Sequence, residues 1–368
     1  MDPSSTPPQL CELGFYGLAG HTDSPADLVT ECRRAEELGL GSVFLSERFN
    51  VKDAGVLTGA AAVATSTLGI ATAATNHNTR HPMVTATMAT TAHRLSNGRF
   101  ALGLGRGFDA LFSAIGLEPI TSAAMADAID ILRRLWHGEV ILGHDGPSGV
   151  WPLLSQDQSF DEDIPVLLCV LGPRTLELAG AVADGVVLHT FFTDETLATS
   201  VAAVRRGAEQ AGRDPETVRV WSVLATVGDH LSDEAQLRKL TGRLATYLQG
   251  YGDLMVRVNG WDPAVLERFR ADAVVRNAQG ALDASASPED LAHIRELLPD
   301  EWLGAAATGS AAECARRILA QFDLGADGVI CHGATPDELA PVLDAYRAIR
   351  PAGRFDQLDA NPGRAPGL

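Results

Sequence analysis

The chain has 368 residues, 46% of them hydrophobic, and a formal charge of -18 from 29 Lys+Arg against 47 Asp+Glu. That charge repels phosphate backbones and anionic headgroups, and no basic run offsets it, which argues against nucleic acid and membrane surfaces as partners. Cys11, Cys32, Cys169, Cys314 and Cys331 are odd in number and never spaced C-x-x-C, so they point to neither a disulfide framework nor a cysteine zinc site and fit a reducing cytoplasm.

The first fifteen residues lack the basic and apolar halves of a secretory signal. A first strand is expected at 13–18, and Ser24-Pro25 with Asp27 then opens a helix. That helix closes in the segment AEELGLGSVFLSE (35–47), where a glycine turn leads into a second apolar run ending on polar residues. The stretch from Gly59 to Ala74 is mostly Ala, Gly and Thr and cannot span a membrane; its end carries a third strand, at 67–74. Further strands are expected at 99–104 and 165–171, within AGAVADGVVLHT (179–190), at 217–224, and within AQFDLGADGVICHG (320–333). Ser310 with Glu313 and Thr335-Pro336 with Glu338 mark the last helix starts. Continuous apolar runs are what strands buried on both faces look like, and their alternation with helices implies a parallel sheet. Eight of them at similar spacing favour a closed (β/α)8 TIM barrel over a doubly wound sheet. Residues 138–163 read as an inserted hairpin and 250–305 as a polar helical excursion, so 1–368 is expected to form one domain with its core at about 13–350. The Pro-, Gly- and Asp-rich tail from Pro351 is expected on the surface.

A closed barrel carries its site at the C-terminal ends of its strands. Those ends supply Gly17–Gly20 with His21, Glu47-Arg48, Thr75-Asn76, Gly105-Arg106-Gly107, Gly172-Pro173-Arg174, His189-Thr190, Thr226 and His332-Gly333. The run GLGRG (103–107) lets backbone N–H groups approach a phosphate or a ring, although a tight turn needs the same small residues, and it is not a nicotinamide fingerprint. Arg174 in the first turn of a helix opposes the helix dipole, which an anionic ligand would explain. His77 and His81 stand four apart, but Pro82 holds His81 extended, so no metal site is expected. Glu47 beside Arg48 is either a rim ion pair or a charged pair awaiting a ligand. His189 and His332 are either hydrogen-bonded rim histidines or members of the site.

The run LGIATAATNHNTRHPMVTATMATTAHRLSNGRFALGLGRG (68–107), with GSVFLSERF (41–49), IPVLLCVLGPRTLELAGAVADGVVL (164–188) and ARRILAQFDLGADGVICHG (315–333), resembles the luciferase-like monooxygenase superfamily, especially its coenzyme F420-dependent oxidoreductase branch. The resemblance covers most of 13–350. It implies a luciferase-like barrel, often a homodimer, that holds a deazaflavin against its mouth. It also implies a non-prolyl cis peptide that props the cofactor ring, at Ala73-Ala74 or next at Thr72-Ala73. Glu47 matches the acidic residue at the second strand end. Arg48 replaces a frequent histidine base, and Phe108 replaces an acidic residue of the sugar-phosphate dehydrogenases, which argues against glucose-6-phosphate dehydrogenase activity.

On this resemblance Arg80, Arg106 and Arg174, with the N–H groups of Gly105–Gly107 and Gly172–Arg174, are expected to hold the cofactor's phosphate and acidic tail. Phe15, Ala73, Ala74, Val170 and Leu171 would line its ring, beside Thr75 and Asn76. The activity implied is hydride transfer between the deazaflavin C5 and a small alcohol, carbonyl or activated alkene. Glu47 and Arg48 would polarise the reacting groups, and His21, His189 or His332 would relay the proton. The alternatives are an FMN-dependent monooxygenase and a cofactor-binding paralogue without catalysis. The hairpin with Trp151 is a candidate dimer element.

Overall fold

The computed structural model describes residues 9–19, 24–48 and 51–366. In chain order the strands are β1 (Leu10–Tyr16), β2 (Leu40–Leu45), β3 (Gly69–Thr72), β4 (Phe100–Gly105), β5 (Ile141–Gly146), β6 (Gly149–Leu154), β7 (Val166–Cys169), β8 (Gly185–Val187), β9 (Arg219–Gly228), β10 (Ala307–Gly309) and β11 (Gly328–His332). Eight of them pair in parallel in the order β1-β2-β3-β4-β7-β8-β9-β11, and β11 pairs back onto β1, so the sheet closes as a (β/α)8 TIM barrel. Each lies in a segment where an apolar run between helices predicts a strand. The short β10 extends the C-terminal half of β9, with Ala307 opposite Thr226.

Side chains alternate across this ring. Phe44, Ala71, Ala73, Ala101, Leu167, Val187, Trp221 and Ile330 cluster without any helical residue and fill the interior. Their neighbours Val43, Leu45, Ile70, Leu102, Leu168, Val186 and Val220 pack outward with the helices. Phe15 and Val170 belong to this outer layer, whereas Tyr16 and Cys169 pack against the interior. The expectation that Phe15 and Val170 line the cofactor ring is therefore corrected by one residue of strand phase in each case. Leu171, half-buried, packs on the outer layer too.

β5 and β6 form the expected antiparallel hairpin, whose Trp151 ring lies 4.7 Å from that of His81. The helical excursion starts earlier than 250: after β9 come helices Asp233–Leu237 and Arg243–Asn259, then five short helices ending at Leu303. They carry their own core of Leu248, Met255, Phe269 and Ile294, with Trp261 stacked on Trp302 at 4.4 Å. Gly260, left-handed at φ 63°, ends the long helix, a conformation that favours glycine.

The tail is not a surface appendage. Asn361 is wholly buried, and its side-chain amide donates to the Gly98 and Phe100 carbonyls at 2.8 and 2.9 Å. Trp221 Nε1 donates to the Pro362 carbonyl at 2.8 Å, and Arg219 reaches the carbonyls of Asp359, Asn361 and Arg364. The segment thus closes the end of the barrel where β9 begins. Among the described residues no helix is long and apolar enough to cross a membrane.

Candidate active site

At the opposite end, β3 and β4 approach so closely that backbone forms the wall. A Cβ on Gly103 would lie 1.8 Å from the Thr72 carbonyl oxygen, and one on Gly105 2.9 Å from the Ala74 Cβ. The Ala73–Ala74 peptide is cis, at the first of the two positions the resemblance implies. Hydrogen bonds knit this edge to both neighbours: Ala73 N to Leu45 O at 2.8 Å, Glu47 N to Ala74 O at 3.1 Å, Thr75 N to Gly103 O at 3.0 Å and Gly105 N to Thr75 O at 2.9 Å. Asn76 Oδ1 accepts from Thr79 N at 2.9 Å and turns the chain toward Arg80.

Arg80 makes a two-pronged contact with Glu47, one prong at 3.0 Å, and also donates to Thr75 Oγ1 at 3.0 Å and Asp53 Oδ2 at 2.5 Å. The Thr75 hydroxyl donates to Glu47 as well. Such a paired guanidinium and carboxylate is strong and directional, and the Glu47 hydrogen bonds push the Arg80 pKa above its ordinary value. Arg80 is thereby committed within the protein, which corrects its assignment beside Arg106 and Arg174 as an anion ligand.

Arg106, half-buried, and Gly107, exposed and left-handed at φ 64°, follow β4. Gly172 caps the helix Pro173–Val182 without a side-chain hydrogen bond, and Arg174 is exposed in its first turn. The leading N–H groups of a helix have no intrahelical partner; Gly105 N is already given to Thr75 O and Pro173 has no N–H, so Arg106, Gly107, Gly172 and Arg174 supply the donors and two cations at the ends of adjacent strands.

At the same end of the ring, after β8 and β11, stand two histidines with three tyrosines around them. His189 Nδ1 lies 3.0 Å from the Thr190 carbonyl, which can only accept, so the proton is assigned to Nδ1 and Nε2 is left as an acceptor. His332 Nε2 lies 3.3 Å from the Tyr247 hydroxyl, and His332 Nδ1 is buried with no partner among the described residues. The Tyr247 ring sits 4.7 Å from His189, the Tyr16 ring 5.1 Å from His332, and Tyr251 stacks on Phe108 at 4.3 Å. Burial pushes His189 down to about 4; burial, together with the charges of Arg243, His189, Arg48 and Lys239, holds His332 well below the usual imidazole range.

Both rings are neutral at pH 7, and an NMR titration is expected to place the His189 transition near 4. Because the folded pKa lies below the unfolded value of about 6.5, His189 contributes no pH dependence above that. It makes stability fall as pH drops from about 6.5 toward 4. A His189→Gln variant should lose that share of the acid sensitivity, seen as a flatter melting temperature between those limits.

Glu47, Arg48, Thr75, Asn76, His189 and His332 do gather at this end, while His21 lies outside the described residues. Tyr16, Tyr247, Tyr251 and Arg243 were not singled out by sequence. A polar tip on the strand end of β1 could have signalled Tyr16. The other three sit on a helix far from any strand end.

Comparison with known proteins follows the same lines. Residues 11–328 match the family model for luciferase-like monooxygenase. The 5,10-methylenetetrahydromethanopterin reductase of Methanolobus tindarius is 27% identical over 305 residues, 80% of this chain and 86% of that protein. The F420-dependent glucose-6-phosphate dehydrogenase of Microbacterium testaceum is 26% identical over 297 residues, 77% of this chain and 86% of that one. Among solved structures, the coenzyme F420 dependent tetrahydromethanopterin reductase from Methanopyrus kandleri shares the fold at a TM-score of 0.73 and 21% identity, covering 91% of this chain and 97% of that one.

Proposed function

The chain belongs to the luciferase-like monooxygenase family, and from that premise we propose that it is an F420-dependent oxidoreductase acting on a small alcohol, carbonyl compound or activated alkene. The observation that carries this reading is the shape of the mouth. A wall of small residues at the ends of β3 and β4, where a Cβ on Gly103 or Gly105 would meet Thr72 or Ala74, stands at the same end of the ring as the neutral cluster of His189, Tyr247 and His332 at the ends of β8 and β11. Such a slot fits a planar ring on one side and a reacting group on the other. The relatives whose names include coenzyme F420 or F420-dependent support the choice of deazaflavin.

When bound, the deazaflavin supplies or accepts the hydride at its C5. In this reading Ala73, Ala74, Thr75, Asn76 and Gly105 back its ring, and Arg106, Gly107, Gly172, Pro173 and Arg174 hold its phosphate and acidic tail. Glu47, with Arg80, acts as a positioning residue for that wall. Reduction of a carbonyl adds a hydride at carbon and a proton at oxygen; oxidation of an alcohol reverses both. We assign the proton to the Tyr247 hydroxyl, hydrogen-bonded to neutral His332, with His189 closing the cluster and Arg48 polarising the substrate. The test is a screen of carbonyls and enoates with reduced F420, and of alcohols with oxidised F420, read as a change in deazaflavin absorbance. Tyr247→Phe should lower kcat by about 10²-fold or more while leaving F420 affinity intact. Equal kcat in the variant would remove Tyr247 from this role.

We also propose a cytoplasmic homodimer. Helix Ala54–Ala64 has no charged side chain and exposes Val56 (73%) and Val63 (72%), and the adjacent helix Pro82–Leu95 exposes Val84 (55%) and Leu95 (51%). An apolar face of this kind marks an interface. Light scattering should give twice the chain mass for the wild type and the chain mass for Val56→Asp/Val84→Glu; a wild-type monomer at micromolar concentration would rule the dimer out.

A further inference from the structure

An unbroken arc of rings runs around the mouth from the end of β4 to the end of β1. Phe108, after β4, stacks on Tyr251 with 4.3 Å between ring centres and 20° between planes. Tyr251 lies 5.6 Å from His189, after β8, and His189 lies 4.7 Å from Tyr247. Tyr247 in turn lies 6.2 Å from His332 at the end of β11, and His332 lies 5.1 Å from Tyr16 at the end of β1. Each step is a direct ring contact.

One helix supplies the middle of the arc. Tyr247, Tyr251 and Leu254 stand at i, i+4 and i+7 of the helix Arg243–Asn259 and so share one face of it. Leu254 extends that face to the loop after β7, where a Cβ on Gly172 would lie 4.0 Å from the Leu254 Cδ1. An adjoining side of the helix buries Leu244, Leu248 and Met255 in the excursion's own core. The helix is thus held from behind while its tyrosines meet the barrel. Gly250 makes room for the stack: a Cβ there would lie 2.6 Å from the Phe108 Cε1. Phe108 is nonetheless exposed.

The arc carries no charge at pH 7. Burial holds both histidines neutral, and it pushes the Tyr16, Tyr247 and Tyr251 hydroxyls above the ordinary phenol range. Arg243, 6.0 Å from the centre of the Tyr247 ring, is matched by Asp283 at 2.8 Å. Stripping an anion of water among uncharged rings is costly. A flat apolar ring gains burial there, together with the offset and edge-to-face contacts that aromatic rings prefer.

We propose that this arc is the substrate wall and that it selects an uncharged ketone or alcohol carrying a flat unsaturated ring, with Phe108 and Tyr251 as the residues that set the preference. This rests on the hydride-transfer reading above and narrows its substrate class. The substrate ring lies along Tyr251 and Phe108, and its oxygen reaches the Tyr247 hydroxyl beside His332.

The experiment uses the protein loaded with oxidised F420, so that a ketone binds without being reduced. It is titrated calorimetrically with acetophenone, with cyclohexyl methyl ketone, which has similar bulk but no flat ring, and with phenylglyoxylate, which adds a carboxylate to the ring ketone. Tyr251→Leu and Phe108→Leu are the test variants, because leucine stays apolar and removes the ring. Acetophenone is expected to bind about tenfold more tightly than either of the other two. Each variant should lower acetophenone affinity about threefold to tenfold, while the affinities for cyclohexyl methyl ketone and F420 change by less than about twofold. Gly250→Ala gives an independent reading. Alanine suits a helix better than glycine, so the melting temperature should not fall, yet its Cβ displaces the Phe108 ring and should weaken acetophenone as Phe108→Leu does. Equal affinity for the two neutral ketones, equal losses for both in the variants, tighter binding of phenylglyoxylate, or loss of F420 affinity in place of acetophenone affinity overturns the proposal. Failure of the wild type to bind F420 at all would instead overturn the hydride-transfer reading; the same titrations without cofactor would then keep the arc as a ring-selecting wall if acetophenone were still preferred and overturn it if not.

Discussion

Replacing Arg219 by Met is expected to destabilise the protein by about 3–5 kcal/mol, although the residue is remote from the site. Arg219 is fully buried at the start of β9, and burial pushes its pKa down to about 10. Its Nη2 donates to the Cys11 carbonyl at 2.6 Å, and its Nη1 is shared among Asn361 at 3.1 Å and Asp359 and Arg364 at 3.3 Å. Its guanidinium lies 4.4 Å from the centre of the Trp221 ring. The Met variant keeps the volume but leaves those carbonyls without a donor in a space water does not reach, and each such orphan costs on the order of 1–3 kcal/mol. At about 2.1 cal/mol/K of unfolding entropy per residue, a chain of 368 residues shifts roughly 1.3 °C per kcal/mol, so the melting temperature should fall by about 4–6 °C. Deleting 355–368 should do at least as much, since it removes the buried Asn361 as well. A truncated protein that melts with the wild type would show that the tail does not close the barrel.

The second large effect concerns Arg80. The Glu47 side chain is only 3% exposed, so Arg80→Ala leaves a buried carboxylate held, among the described residues, by the Thr75 hydroxyl. Breaking a buried pair from one side typically costs about 3–5 kcal/mol. Because the clamp also fixes Thr75, whose backbone bonds to Gly103 and Gly105, F420 affinity should fall by about 10²-fold, the equivalent of roughly 2.7 kcal/mol. Glu47→Gln combined with Arg80→Met removes both charges and should recover much of the stability. A double-mutant cycle should therefore show coupling at the upper end of the usual range, about 3 kcal/mol. Additive effects would mean that Arg80 acts through Asp53 alone.

The barrel was legible because strands buried on both faces must be continuous apolar runs, and segments such as LGSVFL at β2 and GVICH at β11 leave few other readings. Side-chain phase was less legible. In such strands inward and outward positions are equally apolar, so nothing local separates Phe15 from Tyr16 or Val170 from Cys169. The tail misled for another reason: its Pro, Gly and Asp content suits a surface, and its partners, Arg219, Trp221 and the Gly98 and Phe100 carbonyls, all lie more than a hundred residues earlier in the chain. At the mouth, Glu47 and Arg80 were each visible as charged residues near strand ends, but their pairing across β2 and β3 depends on the turn made by Asn76 and Thr79. Tyr247 and Arg243 carried no signal, since an amphipathic helix in an excursion looks the same whether its polar side meets solvent or the barrel.

The central claim is tested most directly by titrating the purified protein with F420 and, separately, with FMN, following quenching of its five tryptophans. Stoichiometric F420 binding is predicted, at least about tenfold tighter than FMN and weakened about tenfold by Arg174→Ala. FMN binding as tight as or tighter than that of F420, or binding of neither, would contradict it.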